Sequence, residues 1–202
     1  MNLKSTDLYI FRHGETDWNR QMRFQGHTDI PLNHEGIVQA KNLSSLVEPL
    51  NVQMILSSNL QRARVTAEIV NEKMQVPMLI SEDLRECGLG DLEGLERSVV
   101  IEKYGDQWQR WLSIDQDDLD FAFNNGESKR AHLFRLQNYI QAHCLQSDLQ
   151  RIGISTHGGS LRRLIHACEG APTEPAPIPN CALYHVRLIH ADLRWVFVGR
   201  IE

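Results

Sequence analysis

Leu8-Tyr9-Ile10-Phe11-Arg12-His13-Gly14-Glu15-Thr16 is the stretch from which the rest of the chain can be read. Four apolar residues in a row are too few for a buried helix and suit a short strand covered on both faces. The run passes directly into Arg12, His13 and Gly14, and in open α/β sheets ligands are held at the carboxyl ends of the strands. A second stretch repeats the pattern: Arg151 to Thr156 alternates as a strand and ends in His157-Gly158-Gly159, ahead of a helix from Leu161 to Cys168. Either triplet alone reads first as a loop holding a satisfied histidine. Two of them at strand ends would share one edge of a sheet, where two imidazoles and a guanidinium converge.

The remaining chain supplies the rest of such a sheet. Asn33 is placed as the N-cap of a helix whose apolar positions Ile37, Ala40, Leu43, Val47 and Leu50 recur every three or four residues. Val52 to Leu56 reads as a strand. A helix with Leu60, Ala63, Ala67, Val70 and Met74 on one face follows, then a strand from Val76 to Ile80 that tolerates Pro77 only near its start or at an edge. Residues 81–95 form a Gly/Glu-rich loop and 96–112 one or two helices bearing Trp108 and Trp111. An acidic loop with Asp115, Asp117, Asp118 and Asp120 leads to a long helix from Glu127 to Leu145. After the prolines at 172, 175, 177 and 179, Cys181–Leu188 and Leu193–Ile201 are predicted as strands paired antiparallel around His190-Ala191-Asp192. Strands alternating with helices, without internal repeats, predict one α/β domain over 1–202 with a largely parallel sheet.

Composition narrows the partners. The 202 residues carry 21 Lys+Arg against 26 Asp+Glu, a formal charge of −5, which gives no global reason to coat nucleic acid or an anionic membrane. Any anion must meet a local basic site. The N-terminal residues lack the pattern of a signal peptide, and no apolar stretch nears the ~20 residues that span a bilayer. Cys87, Cys144, Cys168 and Cys181 form no C-x-x-C pair and sit among apolar or small neighbours, as expected of reduced thiols in the cytoplasm.

Arg62 follows the strand Val52–Leu56 at the start of a helix, one position off its buried face, and can point to the same edge. Two arginines and two histidines make a site for a tetrahedral oxyanion, because guanidinium forks match phosphate oxygens. The inferred ligand is a phosphoryl group. A neutral imidazole can attack phosphorus, and neighbouring cations disfavour its protonated form; by this reasoning either His13 or His157 serves. Glu86, at the head of the loop after the third strand, is the candidate general acid for the leaving alkoxide. Metal ligation fits poorly, since two arginines oppose a divalent cation and the carboxylate and histidine spacing is wrong; no metal and no cofactor are expected. His27, His34, His132, His143, His166, His185 and His190 read as surface or structural, and Trp108, Trp111, Phe121 and Phe123 as packing residues.

These residues carry a resemblance. Arg12-His13-Gly14-Glu15-Thr16-Asp17-Trp18-Asn19, with Gln25-Gly26 and Pro31-Leu32 behind it, resembles the signature of the histidine phosphatase superfamily, the phosphoglycerate mutase-like proteins. Ser57-Ser58-x-Leu60-x-Arg62-Ala63-x-x-Thr66-Ala67, Leu84-Arg85-Glu86 with Gly90 and Glu93-Gly94, Asn125-Gly126-Glu127-Ser128 and Thr156-His157-Gly158-Gly159 follow in the family's order. The resemblance implies a three-layer α/β/α sandwich with a mostly parallel central sheet. It implies His13 as the phosphorylated nucleophile, Arg12, Arg62 and His157 as the phosphate pocket, Glu86 as proton donor and Asn19 as a further phosphate ligand. Gln25, Gly26 and Gly158 would border the substrate, and residues 96–126 would cap the site. The expected activity is a metal-independent phosphomonoesterase acting on a small phosphorylated metabolite; a homodimer is left open. The alternatives are a cofactor-dependent phosphoglycerate mutase and a non-catalytic phospho-ligand binding module. The mutase reading is weakened because Cys87, Gly88 and Leu89 stand where mutases carry Arg and Tyr after the catalytic glutamate, and the mutases' longer insertion and C-terminal tail are missing. Intact His13 and Glu86 argue against the binding module.

Overall fold

The structure, a computed structural model, describes residues 4–202; Met1–Leu3, at the head of the expected 1–202 domain, lie outside the described residues. Strand β1 (Ser5–Arg12) shows why the chain forms three layers. Its side chains alternate in direction, so Leu8 and Ile10 enter one apolar cluster while Tyr9 and Phe11 enter another. The first cluster is completed by Leu136 and Ile140 of helix α5 (Lys129–Gln146) and Leu161 and Leu164 of α6 (Gly158–His166). The second is completed by Leu43 and Val47 of α2 (His34–Val47) and Ala67 and Val70 of α3 (Gln61–Asn71). A sheet buried on both faces needs apolar residues at every position, and Leu8–Phe11 provides them.

Six strands form the sheet in the order β3-β2-β4-β1-β5-β6, with β2 at Met54–Ser58, β3 at Met78–Ser81, β4 at Arg151–Thr156, β5 at Leu183–Ile189 and β6 at Arg194–Ile201. The first four run parallel, whereas β5 is antiparallel to β1, and β6 to β5. The expected mostly parallel α/β/α arrangement is therefore present. Register places the site: Arg12 lies opposite Thr156, so the residues that follow, His13 and His157, leave the sheet side by side.

Several boundaries differ from expectation for identifiable reasons. Strand β2 runs two residues further than predicted and ends at Ser58, because Ser57 and Ser58 are fully buried beside β4 and β3. Pro77 precedes β3, which is an edge strand. Helix α6 begins at Gly158 rather than Leu161, directly after β4. A short helix, α1 (Asp17–Arg20), was not expected; Thr16 caps it and Asn19 bonds back to the Thr16 backbone, a reciprocal capping box. Helix α4 (Arg97–Leu112) is broken at Gly105. Trp108, Phe121 and Phe123 pack with Cys87, Leu89, Leu92 and Val100 in a third cluster beside the sheet. The buried Lys129 ammonium donates to the carbonyls of Arg110 and Ser113 at 2.7 and 2.8 Å, pinning the end of α4 to the start of α5. Among the described residues no helix is long and apolar enough to cross a membrane.

Candidate active site

The parallel ladder ends with the His13 backbone N–H donating to the Thr156 carbonyl at 3.0 Å, and the rings of His13 and His157 stand 5.3 Å apart between centroids. Both are buried, yet they are bonded differently. His13 Nδ1 faces the Gly14 carbonyl at 2.7 Å and must carry the proton, while its Nε2 has no partner among the described residues. Gly14 is in turn held by its N–H to Thr66 Oγ1 of α3. At His157 the Nδ1 accepts from Arg62 Nε at 3.2 Å, so Nε2 carries the proton and faces Ser58 Oγ at 2.9 Å. Burial and then the charge of Arg62 hold both imidazoles well below their usual 6.5, with Arg12 adding to the effect. Both are neutral at pH 7.

The cations are fixed by backbone carbonyls. Arg12 donates one terminal nitrogen to the Ile178 carbonyl at 2.7 Å; its Nε is buried without a partner. Arg62, expected just off the buried face of its helix, is instead buried, because the loop 26–28 covers it and takes its N–H groups on the carbonyls of Gly26 and Thr28, both at 2.8 Å. Burial lowers each guanidinium to about 10, which leaves both charged at neutral pH. The Glu93 carboxylate holds that loop by accepting from the N–H groups of His27 and Thr28 and from the Thr28 hydroxyl. Gly26 has a φ of +51°, and a side chain there would run into Glu93. Asn19 Oδ1 takes donors from Thr16 and from Asn180 Nδ2, which turns the Asn19 amide so that its own N–H groups have no partner among the described residues.

Glu86 is set by α6. Its Oε2 accepts from the Gly159 N–H at 2.7 Å, and its Oε1 from the Cys87 N–H at 2.9 Å and Ser160 Oγ at 3.3 Å. Behind Ser160 lies the fully buried His132, Nε2 to Oγ 2.9 Å. Arg135 binds the carbonyls of Asp83 and Glu86 and pairs with Glu127, which fixes the loop bearing Glu86. These groups open on a cleft of about 560 Å³. Every expected site residue lines it except His157, which stands behind the wall and reaches the cleft through Arg62. Trp108 and Leu112 of α4 form part of that wall, and none of Asp115, Asp117, Asp118 and Asp120 does; Asp118 and Asp120 pair with Arg110 and Arg130.

Sequence reasoning gave no role to Ser58, Asn180, Ser160 and Arg162. The first three act through other residues; Ser58 stands in the Ser57-Ser58 motif, whereas no pattern marks Asn180 or Ser160, and Arg162 could have been found as the residue one helical turn beyond Gly158. One set of metal-type donors, Cys87, Glu127 and His132, lies within 4.8 Å. Its chemistry opposes a cation: Glu127 is already paired with Arg135 through both oxygens, and Cys87, whose thiol is pushed up by burial, donates to the Glu127 carbonyl.

The model of the histidine phosphatase superfamily (branch 1) matches residues 8–200. The adenosylcobalamin/alpha-ribazole phosphatase of Escherichia coli is 30% identical over 90% of this chain and 84% of its own. The 2,3-bisphosphoglycerate-dependent phosphoglycerate mutase of Bartonella quintana is 35% identical over 83% of each. Among solved structures, a mycobacterial glucosyl-3-phosphoglycerate phosphatase complexed with VO3 superposes with a TM-score of 0.82 at 25% identity, covering 96% of this chain and 98% of that one.

Proposed function

This chain belongs to the histidine phosphatase superfamily, and on that ground we propose that it is a metal-independent phosphomonoesterase acting on a small phosphorylated metabolite through a phosphohistidine on His13. The observation that carries the reading is the unequal bonding of the two adjacent imidazoles. His13 presents a bare Nε2 lone pair beside the cleft; His157 has both nitrogens engaged. In the first step His13 Nε2 bonds to phosphorus as the ester P–O bond breaks, and Glu86 gives its proton to the departing oxygen. The orphan Nε of Arg12, the unused N–H groups of Arg62 and Asn19 and the start of α6 meet the charge on the phosphoryl oxygens. In the second step Glu86, now ionised, takes a proton from water as the water oxygen attacks phosphorus; phosphate leaves and His13 is restored.

His157 serves this scheme by orienting Arg62 rather than by touching the ester. Residues 96–126 act as the cap, since α4 contributes Arg97, Trp108 and Leu112 to the cleft. The phosphatase is favoured over the mutase because the two side chains after Glu86 that could grip a carboxylate cannot do so: Cys87 is buried away from the cleft, and Leu89 offers it only an apolar surface. The free thiols, three of them buried and that of Cys181 half-buried, and the acidic balance support a cytoplasmic enzyme of small molecules rather than a nucleic-acid or membrane protein. The test is phosphate release from a panel of phosphorylated metabolites with and without excess EDTA. Turnover is expected to persist; loss on chelation, restored by magnesium or zinc, would overturn the mechanism.

A further inference from the structure

Ser160 Oγ stands between two acceptors and can serve only one at a time. The Arg85 carbonyl lies 3.2 Å away and Glu86 Oε1 3.3 Å, and a hydroxyl has one hydrogen for both. On its other side is His132 Nε2, at 2.9 Å. His132 belongs to the buried column of α5 with Leu136, Ile140 and Cys144, a position that packing alone would give to an apolar side chain. It brings instead a ring whose Nδ1 is buried with no partner among the described residues. That bare nitrogen fixes the tautomer. Were Nε2 the acceptor, Nδ1 would carry a hydrogen with nowhere to donate, the rarer and costlier orphan in a protein interior. With the hydrogen on Nε2, only a lone pair goes unused. His132 therefore donates to Ser160 Oγ, and the serine hydrogen is turned away from the ring toward the carbonyl and the carboxylate. Burial holds His132 down at about 3, so the ring stays neutral and remains a donor while Glu86 changes state.

We infer that Ser160, steered by His132, is a positioning residue for Glu86: its hydroxyl bonds to the Arg85 carbonyl while Glu86 is protonated and turns to Oε1 as the proton leaves. A rotation about the Cβ–Oγ bond separates the two states, and the ionised carboxylate gains a third donor beside the N–H groups of Gly159 and Cys87. The inference rests on the proposed acid–base role of Glu86 for its use in turnover, but titration of the carboxyl group tests it without turnover. The other ionisable groups around Glu86 are Arg12 of β1, Arg62 of α3, Arg163 of α6, Cys87, and Glu127 paired with Arg135 of α5, while His13 and Arg162 line the same cleft. All of these are common to the parent and the variants compared. Protein labelled with ¹³C at the glutamate carboxyl carbons would be titrated by NMR, the Glu86 resonance being assigned by its loss in Glu86→Gln. Ser160→Ala removes a donor from the ionised form alone, so the Glu86 midpoint should rise by about one pH unit. His132→Leu, which deletes no charge, should raise it by part of that shift. His132→Gln, whose amide nitrogen can stand at the place of Nε2, should bring it back toward the parent. On an alkyl phosphate the alkaline limb of kcat/KM should move upward with the midpoint. A Ser160→Ala midpoint at or below that of the parent would overturn the inference. So would His132→Leu and His132→Gln agreeing with each other, at the parent's value or away from it, since packing alone would then account for His132. Failure to hydrolyse any ester, with the midpoints displaced as expected, would count against the phosphatase reading alone.

Discussion

The backbone N–H of Gly159 donates to Glu86 Oε2 at 2.7 Å, and a Cβ on Gly159 would lie 2.5 Å from Glu86 Oε1. The second residue of α6 therefore both binds the carboxyl group and leaves it room. Gly159→Ala should displace the end of a flexible side chain, costing little stability while moving the proposed proton donor. Its activity on alkyl esters should fall toward that of Glu86→Gln, about 10²–10⁴-fold below the parent, with smaller losses on aryl esters whose leaving groups need less protonation. Rates on matched alkyl and aryl phosphates check this; equal losses on both ester types would point to Glu86 as a positioning group instead.

His13→Ala should abolish turnover, and the parent enzyme quenched during turnover should carry an acid-labile, base-stable phosphoryl group on His13. His157→Asn tests the other half of the assignment. It should still form the phosphoryl-enzyme, more slowly, because Arg62 loses the acceptor that orients it. Peptide mapping of the trapped protein decides the matter, and label on His157 would reverse the roles.

Stability should depend on pH through buried neutral histidines. Burial is the first cause that lowers His13, His157 and His132, the last to about 3, each from an ordinary 6.5. The unfolded chain then binds protons that the folded one refuses, so stability is full above about pH 6.5 and falls as the pH drops toward the folded values. The slope is at most about 1.4 kcal/mol per pH unit for each histidine. Urea unfolding at about pH 8, 6.5 and 5 reads this window before the lowered carboxylates, whose unfolded values are 3.8 for Asp7 and 4.5 for Glu127, begin to titrate. A flat profile there would show that these rings accept protons without unfolding the protein.

With 3-phosphoglycerate as substrate and 2,3-bisphosphoglycerate as primer, free phosphate should outrun isomer exchange. The positions after Glu86 give the departing molecule no cationic fork to hold it for retransfer. Exchange much faster than phosphate release, followed by ³¹P resonance, would favour the mutase.

Much of this site was legible because strand ends and helix starts have local signatures. Leu8–Phe11 and Arg151–Thr156 announce themselves by apolar pattern, and their register alone brings His13 and His157 together. The residues alone did not choose between them, and only the resemblance implied His13; the physical difference between the rings lies in which nitrogen carries the proton, and that is set by Gly14, Arg62 and Ser58 across three strands and a helix. The helix pattern sets Arg62 one position off the buried face and lets it point to the site, but its burial is not readable there, because the loop that covers it comes from 26–28. Helix α1 was missed although Thr16 and Asn19 are spaced as a capping box, because a single turn has no apolar period to detect. Asn180 lies in a proline-punctuated stretch that carries no pattern at all.

Strand β1 has as its two neighbours β4 and β5, both from the last quarter of the chain. During synthesis the apolar run Leu8–Phe11 therefore emerges early and finds no strand of its own sheet to pair with until residue 151 and beyond have followed. Such distant pairing is slow, and an unpaired apolar strand is the segment most open to association with other chains. Pulsed hydrogen exchange during refolding should protect the amides of Leu8–Phe11 together with those of Leu183–Ile189, and protection of β1 well before β5 would contradict this order. A polypeptide released before β4 would carry His13 and Arg62 yet hold the proposed nucleophile on a strand without a sheet, prone to aggregate and without catalytic power.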